Sequence, residues 1–285
     1  MSISVRNLKY TYNPGTPFER RAVDDVSFDI GDGEFVGIIG HTGSGKSTLI
    51  QHLNALITPE SGTVLVDGED INTSSEKSRL RMRVGLVFQY PEYQLFEETV
   101  FKDVCFGPTN MGLDSESVKK NAAEALETVK LEKDLWDRSP FELSGGQKRR
   151  AALAGILAMK PEVLILDEPA AGLDPAGRRT ILGIVESIHK AGTTVIMVSH
   201  SMDDVARLCT RVLVMDRGRL AYDGTCAEVF SHADELTKMG LSLPQSAILR
   251  NRLNQKGFAL PDDIYTVNGL AEALAERLKK RKASC

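Results

Sequence analysis

The chain has 285 residues, 42% apolar and 26% charged, enough apolar side chain for a full core, which excludes a compositionally disordered protein. A formal net charge of −4, with both signs interspersed, leaves no global basic footprint for nucleic acid. Four cysteines (Cys105, Cys209, Cys226, Cys285) lie far apart without CxxC spacing, which argues against zinc and a disulfide framework and fits a reducing cytoplasm.

The opening MSISVRNLKYTY lacks the apolar centre of a secretion signal, and no stretch approaches the ~20 apolar residues that span a bilayer. Roughly the first 35 residues read as strands joined by turns, with Gly31-Asp32-Gly33 offering the chemistry of a tight β-connection. FVGII (35–39) runs directly into glycine, and SGKSTLIQHLNALI (44–57) then has helical spacing, closed by Pro59 and Gly62 before a short strand in TVLVDG. Residues 98–160 hold three helical stretches with little strand signal, as a helical insertion would. Parallel-sheet patterning returns in VLILD (163–167), TTVIMVSH (193–200) and RVLVMD (211–216), continuous apolar runs that imply a sheet covered on both faces. From 225 the strand signal fades, and amphipathic basic segments at 225–285 read as a helical extension.

Gly40-His41-Thr42-Gly43-Ser44-Gly45-Lys46-Ser47 matches GxxxxGK[ST] in full, between an apolar strand and a helix start. The glycines let backbone N–H groups close on phosphates, Lys46 supplies charge, and Ser47 is placed to hold Mg²⁺. Asp167 ends a buried strand where a Mg²⁺ shell needs a carboxylate, and Glu168 stands next to it to orient or deprotonate water. At Ser144-Gly145-Gly146-Gln147 a serine N-cap and two glycines open a second helix whose N–H groups are unshielded. One nucleotide has no need of two helix N-termini from one chain, so this second anion site suits a nucleotide held by another subunit.

GHTGSGKS (40–47), Gln89, LSGGQ (143–147), LILDE (164–168), AGLD (171–174) and His200 together resemble the motif set of the ATP-binding cassette (ABC) family over about residues 3–224. The resemblance implies an α/β fold: a P-loop NTPase core with a mostly parallel sheet, an antiparallel β subdomain, a helical insertion and a small helical C-terminal extension. It divides the chain into an ATPase domain at 1–224, with a helical subdomain at about 89–160, and the extension at 225–285. It implies ATP as the nucleotide with Mg²⁺, sandwiched in a head-to-tail dimer between one subunit's phosphate loop and the other's LSGGQ helix. By the same resemblance Tyr12 stacks on adenine and Thr48 joins the phosphate site. Gln89 is the lid glutamine that reaches Mg²⁺ and water, Asp174 belongs to the inter-subunit loop, and His200 contacts the γ-phosphate.

Phe88, Tyr90, Tyr93, Phe96, Phe101 and Phe106 crowd into the stretch just after Gln89, suggesting either a groove for a partner helix or local core. FQYPEYQLFEETVFKDVCFGP (88–108), KRRAALAG and the end LPQSAILRNRLNQKGFALPDDIYT resemble the second, primed ATPase subunit of energy-coupling-factor transporters, with Ala170 where threonine is more usual. That resemblance implies a homologous ATPase partner, a transmembrane coupling protein, a substrate-binding membrane protein for vitamins or transition-metal ions, and a peripheral place on the cytoplasmic face of the cell membrane. It implies no nucleic-acid partner. The rival class is a soluble cassette ATPase acting on nucleic acid or ribosomes, for which the basic run Lys279-Lys280-Arg281-Lys282 speaks; such a run is usually a solvated helix end.

Overall fold

Burial alternates along the first two strands of the computed structural model, which describes residues 2–73 and 77–283. β1 (Ile3–Tyr12) turns Ile3, Val5 and Leu8 inward and pairs antiparallel with β2 (Arg20–Ile30), whose Val23, Val26, Phe28 and Ile30 are buried. β3 (Phe35–Ile39) differs, since all five residues are buried, the pattern of a strand covered on both faces. The turn at Gly31-Asp32-Gly33, with Gly33 at φ 70°, therefore closes no hairpin; it passes the chain from one sheet to another.

α1 (Lys46–Leu53) is shorter than the helical spacing of 44–57 suggests. The Asn54 side chain turns away to donate to the Val84 carbonyl, and Ala55 takes φ 56°, which ends the helix. β4 (Ser61–Val66) and β5 (Glu69–Asp70) complete a four-stranded antiparallel sheet in the order β2-β1-β4-β5. A short helix, α2 (Lys77–Arg83), then leads into β6 (Val84–Val87), four buried residues that extend the second sheet.

The insertion is helical as expected: α3 (Val100–Asn110), α4 (Ser115–Thr128) and α5 (Gly145–Leu157), N-capped by Thr99, Asp114 and Ser144. β7 (Val163–Asp167), α6 (Pro175–Lys190), β8 (Thr194–Val198), α7 (Met202–Leu208), β9 (Arg211–Asp216) and β10 (Arg219–Thr225) follow. The second sheet runs β10-β9-β3-β8-β7-β6, parallel except for β10 at its edge.

Successive residues of the parallel strands serve two cores. Val36, Ile38, Val163, Ile165, Ile196 and Val198 face the antiparallel sheet and α1, while Phe35, Ile39, Leu164, Leu166, Val195 and Met197 face α3 to α7. α8 (Cys226–Ser231) and α9 (Ala233–Lys238) send Cys226, Val229, Phe230 and Leu236 into the second of these cores. α10 (Gln245–Gln255) and α11 (Val267–Ala283) follow; Arg250 of α10, 3% exposed, donates to the carbonyls of Asp262 and Ile264 in the segment between them. Of the basic run, the side chains of Lys280, Arg281 and Lys282 lie outside the described residues, as does Cys285. Among the described residues no helix is long and apolar enough to cross a membrane.

Candidate active site

β3 delivers the chain at full depth to Gly40, and the loop folds over itself because only glycine fits at its two tightest points. A Cβ on Gly40 would stand 2.3 Å from the Met215 carbonyl oxygen, and one on Gly45, at φ 104°, 2.3 Å from that of Ala22. Both are backbone contacts with no flexible end to move. Ser44 is buried within the loop, while Thr42 and Gly43 stand exposed. Lys46, 7% exposed, donates from Nζ to the carbonyls of Gly40 (2.6 Å) and His41 (3.0 Å), so its charge is held inside the cradle. Burial lowers the affinity of that ammonium for its proton, and Glu168 and Asp167 nearby oppose the shift.

Tyr12 lines the hollow beside the loop together with Arg20, Ala22, Gly43, Gly45, Ser47 and Thr48, with its hydroxyl 3.3 Å from Thr48 Oγ1. Tyr12 is 37% exposed, whereas Tyr10 is half-buried and edge-on to both Tyr12 (5.0 Å) and His52 (4.9 Å). Of the two tyrosines in β1, Tyr12 is thus the one open to the hollow. His52 is fully buried beneath them, its Nδ1–H donating to the Thr48 carbonyl and its Nε2 without a partner, and burial pulls its pKa down to about 4.

The hydrolytic side stands at the carboxyl end of β7. Ser47 Oγ donates to Asp167 Oδ2 at 3.2 Å, so the two oxygen groups suited to a hard cation already converge. Burial raises Asp167, with Ser47 and Lys46 opposing. Glu168 is non-glycine at φ 50°, pinned where its N–H donates to the Val198 carbonyl of β8. Burial first, and Asp167 second, push its carboxyl up to about 7, against the pull of Lys46. His200 Nε2 lies 3.4 Å from Glu168 Oε1, within ion-pair reach but not aligned to donate, so that buried oxygen has no hydrogen-bond partner. The His200 ring is itself held towards neutrality by burial and then by Lys46, with Asp167 opposing.

The remaining motif residues are less drawn together. Gln89 is exposed two residues beyond Val87, which pairs with Leu166, so β6 and β7 carry Gln89, Asp167 and Glu168 to the same carboxyl end of the parallel strands. Ser144 and Gln147 close on each other in a capping box: Gln147 N–H donates to Ser144 Oγ at 3.4 Å and Ser144 N–H to Gln147 Oε1 at 2.9 Å. A Cβ on Gly145 or Gly146 would meet nothing within 4 Å, so this helix start is open. Asp174 N-caps α6, its Oδ1 accepting from Gly177 N–H at 2.6 Å.

Several contacts are not foreseen from the sequence. Arg149, 3% exposed, spans from α5 to Glu92 and to the carbonyls of Pro169 and Ala171; its only signal was a place in the run Lys148-Arg149-Arg150, which reads as solvated charge. Arg20 Nη2 donates to the Gly43 carbonyl at 3.2 Å, and His41 Nε2 lies 3.1 Å from Asp216 Oδ1 at the end of β9. The aromatics around and after Gln89 divide: Phe88 and Phe101 join the two cores, Phe101 stacking on Trp136, whereas Tyr90, Tyr93, Phe96 and Phe106 stay exposed. Phe101, Cys105, Phe106, Leu113 and Val118 line a neighbouring groove of ≈ 580 Å³.

The family model described as ABC transporter matches residues 23–171. The "Energy-coupling factor transporter ATP-binding protein EcfA2" of Clostridium tetani is 51% identical over 100% of both chains, and that of Symbiobacterium thermophilum 53% identical over 100% of this chain and 99% of its own. Among solved structures, cbiO1 from Clostridium perfringens, described as part of the ABC transporter complex cbiONQ, superposes with a TM-score of 0.73 at 39% identity, covering 83% of this chain and 93% of that one. A dimeric, post-hydrolysis ATP-binding cassette, MJ0796, bound to ADP and Pi gives a TM-score of 0.71 at 28% identity, covering 79% and 98%. With the loop, the paired acids and the open second helix start in one α/β frame, the chain belongs to the ABC transporter family, among its energy-coupling factor ATP-binding proteins.

Proposed function

We propose that the chain is the ATP-binding and ATP-hydrolysing subunit that powers an energy-coupling-factor importer of vitamins or transition-metal ions, working as one of two homologous cassettes. The observation that carries the catalytic part is the convergence of Lys46, Ser47, Asp167 and Glu168 at the carboxyl end of the parallel strands. The names of the full-length relatives support the transport part. A transmembrane coupling protein, a substrate-binding membrane protein and a place at the cytoplasmic face of the membrane complete the reading. The exposed Tyr93, Phe96 and Phe106 supply an apolar surface for the coupling protein.

Each step follows from the chain's own groups. Loop N–H groups and the buried Lys46 ammonium hold the phosphates of ATP, and Tyr12 offers its ring to the base. Ser47 Oγ and Asp167 Oδ2 fit Mg²⁺, since both are hard oxygen donors already at 3.2 Å and burial outweighs the opposing pull of Lys46 on the carboxylate; with Gln89 they would hold it, and bound there it would neutralise phosphate charge. Glu168, with one oxygen free of donors and a pKa raised to about 7 that makes its carboxylate a stronger base, orients water and accepts its proton. His200 stands over the same carboxylate as a γ-phosphate contact. Ser144, Gly145, Gly146 and Gln147 offer N–H groups to the nucleotide of the other cassette, with Asp174 at the seam between them, so ATP closes the pair and hydrolysis reopens it. The rival nucleic-acid reading finds no supporting relative among those described above.

In the assembled complex, Glu168→Gln is expected to lower hydrolysis by at least ~10²-fold with ATP affinity kept, as for loss of a positioned base. Near-normal phosphate release would remove Glu168 from that role.

A further inference from the structure

Arg149 is an anomaly of packing. Its guanidinium is 3% exposed in the second turn of α5, where an apolar side chain would cost less to bury. Its acceptors belong to the 3-10 turn Pro91–Gln94 that follows Gln89 and to the turn that follows Glu168. Nε and Nη2 fork onto the Glu92 carboxylate at 3.1 and 2.8 Å, three residues beyond Gln89. Nη1 donates to the carbonyls of Ala171 (2.5 Å) and Pro169 (3.3 Å), just beyond Glu168. The guanidinium also lies 5.6 Å from the centre of the Tyr90 ring, and Tyr90 in turn packs within 3.6 Å of the Cβ position of Gly172.

Two non-glycine residues in left-handed backbone stand beside this arginine: Tyr90 at φ 60°, next to Gln89, and Glu168 at φ 50°. Ala171 N–H donates to the Glu168 carbonyl at 3.0 Å, so the turn whose far carbonyl Arg149 holds is the one that starts at Glu168. Such conformations persist only where the surroundings over-determine them. One helix therefore carries the open 144–147 start at its tip and, five residues on from Ser144, the side chain that fixes both the lid and the base. A helix is stiff over that distance, so a shift of its tip moves Arg149 with it.

We infer that Arg149 is a positioning residue that links the two ATP sites of the cassette pair: docking of the 144–147 turn on the partner's nucleotide is passed through Arg149 and Glu92 to this chain's own Gln89 and Glu168. The inference rests on the function proposed above. A lysine could not replace the fork, because it presents a point charge where two carboxylate oxygens and two carbonyls are met at fixed angles.

The test measures ATP turnover and ATP affinity in the complete membrane complex carrying Arg149→Met, Glu92→Gln, Ser144→Ala and their pairwise combinations. Arg149→Met and Glu92→Gln are each expected to lower kcat about tenfold, with the ATP dissociation constant within about twofold of wild type, as for loss of a transition-state-only contact. The Arg149→Met/Glu92→Gln pair, and either one with Ser144→Ala, should be no slower than the slower single variant, because each pair breaks one link. Multiplying effects, or a lost affinity with kcat kept, would overturn the link. If Arg149→Met fails to assemble, Glu92→Gln with Ser144→Ala carries the same test, since Glu92 is partly exposed and glutamine keeps its shape. A wild-type complex without ATP hydrolysis overturns the proposed function and the link together; an active wild type with both single variants equally active overturns the link alone.

Discussion

The phosphate loop and the 144–147 turn are both glycine-rich helix starts, yet they are built in opposite ways. The first is packed against its own chain: its lysine is inside, and its tight glycines lie against the backbone of Ala22 and Met215, with Thr42 and Gly43 at the rim exposed. The second closes only on itself, through the Ser144–Gln147 box, and leaves Gly145 and Gly146 open. A site finished by its own chain is held by packing, so its glycines answer to the fold. The second start is free of packing, so on the function proposed above its glycines answer to what arrives from outside.

That contrast is most easily broken by adding methyl groups. Gly45→Ala puts a Cβ against a backbone carbonyl at φ 104° and should cost roughly 3 kcal/mol or more of stability, read by chemical denaturation. A stability close to wild type would show the loop to be less closed than it looks.

The next effect probes the base of the closed site. His52 is neutral when folded, with a pKa of about 4 against about 6.5 unfolded, so the unfolded chain binds the extra proton between those values. Stability from this group is whole above pH 6.5 and is lost as pH falls towards 4, a change on the order of 3 kcal/mol. His52→Gln should therefore flatten the pH dependence of unfolding relative to wild type across that window. Equal slopes would place the ring in water.

Smaller effects belong to the open turn. Ser144→Ala removes the acceptor for Gln147 N–H and should cost ~1 kcal/mol of stability, measurable as a shift in the denaturation midpoint. Gly145→Ala should change stability by less than about 1 kcal/mol, since alanine favours the helix and meets nothing. It should nevertheless cut turnover of the assembled complex by about tenfold or more, through the methyl set before the N–H groups. Full turnover in that variant would deny the turn a ligand.

The closed site was largely legible in the sequence because its parts constrain each other: FVGII must be a buried strand for the loop to start where it does, and VLILD likewise for Asp167 to reach Ser47. The cap at Ser144 was legible from local chemistry alone. Arg149 was not, because a charged run has no period that marks one member as buried, and its partners lie 57 and about 20 residues away. β6 was missed for a related reason: VGLV is too short to set a pattern, and it becomes a strand only through pairing with β7. The end of α1 was misplaced because Asn54 is drawn off by Val84, 30 residues on.

The position of β3 in the second sheet also bears on how the chain is made. Its hydrogen-bonding neighbours are β8 and β9, so one edge of Phe35–Ile39 stays unpaired until residues near 198 have left the ribosome and the other until residues near 216 have. At typical synthesis speeds of 5–20 residues per second that is roughly ten to thirty seconds, long compared with collapse of a nascent segment. The strand that ends in the phosphate loop is thus among the first made and the last satisfied, and a growing chain must keep it from other strand edges for most of its own translation.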